Sequence, residues 1–76
     1  MTDSPHTLDL QLRGDHITLD ALLKATGLVA SGGEAKALIT SGQVLVDGVA
    51  EVRRGRKLRA GQVVALGPHR VQLLNA

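Results

Sequence analysis

Residues 31–52 read SGGEAKALITSGQVLVDGVAEV, and the hydrophobic period changes partway along them. Ala35, Leu38 and Ile39 recur at i, i+3, i+4, which is one face of a helix. Ser31 and Glu34 stand at the spacing of a capping box: the Ser31 hydroxyl accepts from the Glu34 N–H, and the Glu34 carboxylate reaches back to the Ser31 N–H. Lys36 and Thr40 share another face of the same helix, and Gly42 is placed to stop it. From Gln43 the period falls to two. The runs VLV and VAEV flank Asp47-Gly48, a dipeptide that favours a two-residue hairpin turn. Both faces of this hairpin are partly apolar, so alternation leaves its register open. A capped helix running directly into a hairpin indicates an α+β domain.

Working outward, LDLQL (8–12) alternates, with Leu8, Leu10 and Leu12 on one face of a strand. Gly14-Asp15 reads as a turn. Thr18 is placed as an N-cap and Asp20 suits the positive end of a helix. Leu19, Leu22 and Leu23 line that helix, and Gly27 ends it in the C′ position. Leu28, Val29 and Ala30 join the two helices and are apolar enough to lie partly in the core. Downstream, Ala60-Gly61 turns the chain into QVVAL (62–66), and Gly67-Pro68 separates that run from a last alternating strand, HRVQLL (69–74). The expected fold is two short helices packed on a small antiparallel β-sheet. With 76 residues in all, one domain over 7–76 is expected after a flexible tail at 1–6. A chain of this length buries roughly 60% of its unfolded surface, enough for a small core but not for a large active-site cavity as well.

Several chemistries drop out. The chain has no cysteine, which removes disulfides, thiolate metal sites and cysteine nucleophiles and fits a reducing compartment. Its first residues carry neither a basic start nor an apolar stretch, and no run approaches the ~18 apolar residues of a membrane span. A cytoplasmic location is expected. GLVASGGEAK puts glycines before a lysine, but Gly33 is followed by Glu34-Ala35-Lys36 and not by Lys-Ser/Thr, and a helix precedes it, so the phosphate-loop pattern fails. His6, His16 and His69 show no metal-ligand spacing and read as surface or half-buried residues. No nucleophile–base–orienter set is visible. No enzyme activity, metal or cofactor is expected.

The charge is unevenly placed. Residues 1–51 hold Arg13, Lys24 and Lys36 against seven acids, whereas residues 52–76 hold Arg53, Arg54, Arg56, Lys57, Arg59 and Arg70 with no acid, for a net charge of +2. RRGRKLR (53–59) is the dense part. Leu58 should point inward, leaving Lys57 and Arg59 outward together, and Gly55 lets the loop bend. Intramolecular pairing would have to draw on the first part of the chain, where Glu51 is nearest, and one glutamate cannot pair with five cations. A polyanion partner is therefore expected. Four or five phosphate contacts would give a log–log salt slope of about −3 to −5. With no Phe, Trp or Tyr, base stacking on aromatic rings is excluded, so backbone and shape should dominate.

The arrangement over residues 17–66 resembles the S4 RNA-binding domain family. A leucine-rich first helix is followed by a Ser-led second helix, then by a V-x-V-x-G hairpin, a basic R-R-G-R-K-L segment and a Gly-containing turn before another strand. The chain looks most like the small stand-alone bacterial members. The resemblance implies RNA bound across the helix pair (an alpha-L unit) and the adjoining loops. Ser31, Lys36, Gly42 and Asp47-Gly48 match the family pattern. Departures are Gly32, where many members have a basic residue, Thr40 and Ser41 late in the second helix, Asp47 in place of Asn, and Gln62 in place of an acid. The helical face is thus less cationic than usual, and the basic segment must supply much of the attraction.

The resulting expectation is a non-catalytic, translation-associated RNA-binding monomer that takes structured RNA of ribosomal or transfer type. It uses Arg53, Arg54, Arg56, Lys57 and Arg59, with Lys36, Lys24 and Ser31 from the helix pair. No membrane or small-molecule partner is expected. The alternative is a protein-interaction module that applies the same loop to an acidic partner.

Overall fold

The computed structural model describes residues 6–75, with side chains from residue 7. The elements are β1 (His6–Gln11), β2 (Ile17–Thr18), α1 (Leu19–Ala25), α2 (Gly32–Thr40), β3 (Val44–Val46), β4 (Val49–Ala50), β5 (Lys57–Leu58), β6 (Val63–Leu66) and β7 (His69–Leu74). Apart from His6, at which β1 begins, the tail expected at 1–6 lies outside the described residues.

The period-two runs assemble into a five-stranded sheet in the order β1-β7-β6-β3-β4. Four of its strands are antiparallel neighbours, as expected, but β1 pairs parallel to β7, with Leu8 beside Val71 and Leu10 beside Leu73. The sheet is therefore mixed. A parallel neighbour needs a crossover connection, and here everything between β1 and β7 serves as one. The Asp-Gly turn settles the hairpin register that alternation left open. Asp47 and Gly48 both take positive φ, +52° and +83°, the requirement of the tight turn that matches strand twist. Val46 then faces Val49, and Leu45 faces Ala50.

Both helices end as their sequences suggest. Thr26 caps α1 and Gly27 follows at φ +77°, while Ser41 caps α2 just before Gly42. At the start of α2, Ser31 Oγ accepts from the Glu34 N–H at 3.2 Å. The return half of the box is shifted by one residue: Glu34 Oε1 accepts from the Ala30 N–H at 2.7 Å, not from Ser31. Leu19, Leu22 and Leu23 from α1, Ala35 and Ile39 from α2, and Val44, Val46, Val64, Val71 and Leu73 from the sheet form one buried core with Leu12, Val29 and Leu58. Burying each large aliphatic side chain contributes about 1.5–3 kcal/mol, so the helix pair is held by its leucine stripe more than by helix propensity. Of the helix linker, Val29 is buried, Leu28 is half-buried and Ala30 is exposed.

The start of α1 departs from expectation. Thr18 occupies the N-cap, but its side chain accepts no capping hydrogen bond. Its hydroxyl donates instead to Asp20 Oδ1 at 2.7 Å. Two N–H groups at the start of α1 are taken by the basic segment: Leu19 N–H donates to the Arg56 carbonyl at 2.9 Å and Asp20 N–H to the Arg54 carbonyl at 3.1 Å. Helix termini leave such donors without intrahelical partners, and here another part of the chain satisfies them. The two-residue ladder β2–β5, with Ile17 opposite Leu58 and Thr18 opposite Lys57, continues the same contact.

Candidate nucleic-acid interface

The basic segment is therefore not a loose loop. Leu58 anchors it in the core, fully buried as its apolar character predicted, while Lys57 and Arg59 on either side are exposed. The Arg54 and Arg56 carbonyls pin the stretch before it to the start of α1. A turn at Arg54-Gly55 is closed by the Arg56 N–H donating to the Arg53 carbonyl at 3.2 Å. At the far end, Arg59 N–H donates to Gln62 Oε1 at 2.8 Å, and Gln62 Nε2 donates to Asp47 Oδ2 at 3.1 Å. Asp47 Oδ1 also accepts from the Val63 N–H at 2.9 Å. The Asp47 and Gln62 departures from the family pattern are thus joined in one link between the hairpin turn and the basic segment.

Glu51, the nearest acid in the sequence, pairs with two of the five cations. It is 7% exposed, a buried acid at the foot of the hairpin. Its Oε1 accepts from Arg56 Nη1 at 2.6 Å. Its Oε2 accepts from Arg53 Nε at 3.2 Å and from the Arg53 backbone N–H at 3.1 Å. Hydrogen bonds from Arg53 and then Arg56 outweigh the cost of burial and pull the Glu51 carboxyl down to about 2. The same contact raises the Arg53 guanidinium further above its ordinary value. The hairpin register carries the signal that could have revealed this: counting back from the turn places residue 51 beside Val44, on the inner face.

For Arg54, Lys57 and Arg59 no acid among the described residues lies within ion-pair distance, and all three are exposed. Arg54 and Arg59 act on more distant acids. Asp20, lowered chiefly by the Thr18 hydroxyl, also feels Arg54, and Asp15, lowered chiefly by His16, also feels Arg59. Lys24 stands exposed in the last turn of α1, at the end away from the basic segment. Lys36 is exposed on α2, and the Ser31 hydroxyl is engaged in its cap. The eight expected residues therefore divide into five cations on the segment against the start of α1 and three residues spread over the helix pair. His16 is exposed, its Nδ1 2.8 Å from Asp15 Oδ1. Among the described residues there is no group of three possible metal ligands, and no helix is long and apolar enough to cross a membrane.

Residues 10–74 match the S4 domain family. The chain belongs to the S4 domain family. In two relatives the matched region makes up most of the protein. YbcJ of Escherichia coli (strain K12) is 46% identical over 59 residues, spanning 78% of this chain and 84% of YbcJ. "Probable ribosome maturation protein RlbA" of Bacillus subtilis (strain 168) is 38% identical over 63 residues, 83% of each chain. The solution structure of E. coli YbcJ superposes with a TM-score of 0.66 at 41% identity, covering 92% of this chain and 87% of that one. That structure is described as revealing an alpha-L motif involved in RNA binding. The S4 match takes in both helices, the hairpin and the whole basic segment, so the α+β architecture and the helix pair are family features of this S4 domain.

Proposed function

We propose that this S4 domain is a non-catalytic RNA-binding protein. It takes structured RNA, of ribosomal or transfer type, through phosphate contacts from Arg53, Arg54, Arg56, Lys57 and Arg59, with Lys36, Lys24 and Ser31 contributing from the helix pair. It acts in the cytoplasm as a monomer, in step with the translation machinery. The observation that carries the reading is the ordered basic segment docked on the start of α1, with Arg54, Lys57 and Arg59 exposed and unmatched by any acid within ion-pair distance among the described residues. Arginine's planar donor fork suits phosphate, and lysine adds a point charge. The RNA-binding alpha-L motif described for YbcJ supports the same reading.

The test is binding to a mixed pool of structured cellular RNA at several salt concentrations. A variant with Arg53, Arg54, Arg56, Lys57 and Arg59 all changed to Ala serves as comparison. The wild type should bind with a log–log slope of about −3 to −5. The variant should lose affinity and slope together when the two proteins are compared at a temperature where both are folded. Equal binding by the two proteins would move the contact to the helix pair. No binding by either, with an acidic protein partner that survives RNase treatment, would replace the reading with a protein-interaction module.

A further inference from the structure

We infer that Glu51 is a positioning residue for this anion-binding segment: it fixes Arg56 as a strut and turns Arg53 side-on, so that the phosphate-facing set is Arg54, Lys57, Arg59 and the outer edge of Arg53. The inference rests on the RNA-binding reading and divides labour among its five cations.

The geometry treats the two paired arginines differently. Arg53 meets Glu51 along one edge of its guanidinium, Nε to Oε2 at 3.2 Å and Nη2 to Oε1 at 3.5 Å, and its side chain remains 73% exposed. That leaves the Nη1–Nη2 end of the fork free to donate to two phosphate oxygens at once. Arg56 is only 37% exposed, and its Nη1 lies 2.6 Å from Glu51 Oε1. Its backbone carbonyl caps Leu19, so the same residue ties the acid below to the helix beside it. The Glu51 carboxylate also holds the Arg53 backbone N–H, just before the turn that carries Arg54. Lys57 and Arg59 flank buried Leu58 and stand two residues apart on an extended stretch, about 7 Å along the chain on one side. A backbone pinned in this way needs less immobilisation on binding than a flexible loop would.

A buried negative charge beneath a polyanion site has two possible effects, and they differ in sign. If Glu51 only neutralised charge, removing it would strengthen RNA binding. If it positions the segment, removing it weakens binding despite the gain in net positive charge. The decisive experiment uses the full chain and the mixed structured-RNA pool with three variants: Glu51→Gln, Arg56→Ala, and Arg54→Ala/Lys57→Ala/Arg59→Ala. Salt slopes are measured throughout, together with hydrogen exchange at the Leu19 and Asp20 amides.

Glu51→Gln is expected to weaken binding about fivefold or more, because two long side chains must then be ordered on binding. Its slope should not fall, and the Leu19 and Asp20 amides should exchange faster. Arg56→Ala should behave in the same way. The triple variant should lose about 2 to 3 from the slope, at roughly 0.7–0.9 per phosphate contact. Tighter binding by Glu51→Gln would overturn the inference. So would a loss of slope in Arg56→Ala matching that of an outward cation. A triple variant that binds like wild type would overturn the inference and leave the RNA reading standing. If wild type binds no RNA, the RNA reading falls by itself. The amide exchange then decides the positioning role: unchanged rates in Glu51→Gln refute it, and faster rates support it.

Discussion

Glu51 Oε1 and Arg56 Nη1 lie 2.6 Å apart, beneath the backbone of the most basic stretch in the chain. The acid that closes the hairpin ladder, with its N–H on the Val44 carbonyl at 3.0 Å, thereby also holds the segment that caps α1. Hairpin, basic segment and helix pair meet through these two residues. Exposed ion pairs usually contribute little, but this acid is buried and its carboxylate has several donors, so removing a partner strands a desolvated charge.

The pH dependence follows from that contact. The Glu51 carboxyl titrates at about 2 in the folded chain, against an ordinary 4.5. A depressed carboxylate contributes stability that is fully present above the unfolded value and is lost as pH falls through the folded one. Stability should therefore decline from about pH 4.5 towards about 2, and Glu51→Gln should decline less over the same window. Asp15, Asp20 and Asp47 are lowered in the same direction, so a residual slope persists in the variant. Thermal melts across this window decide the matter, and parallel curves for the two proteins would rule out the Glu51 contribution.

Leu58 is the apolar anchor of the basic segment and is fully buried. Leu58→Ala should cost about 2–5 kcal/mol, a large part of the 5–15 kcal/mol typical of a whole domain. Urea denaturation measures it. A cost under about 0.5 kcal/mol, the range of a surface substitution, would mean that β5 is not held in the core.

Two glycines should respond in opposite ways. Gly48 sits at φ +83° in the hairpin turn, and Gly48→Val should cost about 1–2 kcal/mol from the left-handed backbone alone. Gly55 has no such φ, and an added Cβ would meet nothing within 4 Å. The bend at Gly55 therefore does not require glycine. Gly55→Ala should be neutral or stabilise by up to about 1 kcal/mol. Comparing the two melting temperatures tests this, and a strongly destabilised Gly55→Ala would contradict the turn geometry.

Ser31→Ala removes the hydroxyl that accepts from the Glu34 N–H. A loss of about 1 kcal/mol is expected, readable by chemical denaturation. RNA affinity measured well below the melting temperature separates this structural role from a contact: a loss of affinity beyond the loss of folded fraction would assign Ser31 to the interface.

Much of the fold could be read from short stretches. The capping pair Ser31 and Glu34, the stop at Gly27 and the turn at Asp47-Gly48 appear where their chemistry places them. Asp47-Gly48 could have yielded more. A two-residue turn fixes the pairs 46–49 and 45–50, and the next step brings Glu51 beside Val44 on the buried face. Alternation concealed this, because an acid is not expected inside and both hairpin faces are partly apolar. The cluster of cations at 53–59 was legible in the sequence. Its division into paired and outward cations was not, because that depends on where one carboxylate points.

By itself the sequence determined the two helices, their ends, the hairpin turn and the concentration of cations at 53–59. Each of these rests on backbone preferences and contacts within a few residues. The tertiary structure alone decided that β1 runs parallel beside β7, that the Arg54 and Arg56 carbonyls cap α1 in place of the Thr18 side chain, and that Glu51 takes Arg53 and Arg56 while Arg54, Lys57 and Arg59 stay outward. Those outcomes pair groups far apart in the chain. Which donor meets which acceptor was settled only when burial of the leucine core brought the segments together and left their polar groups to find partners.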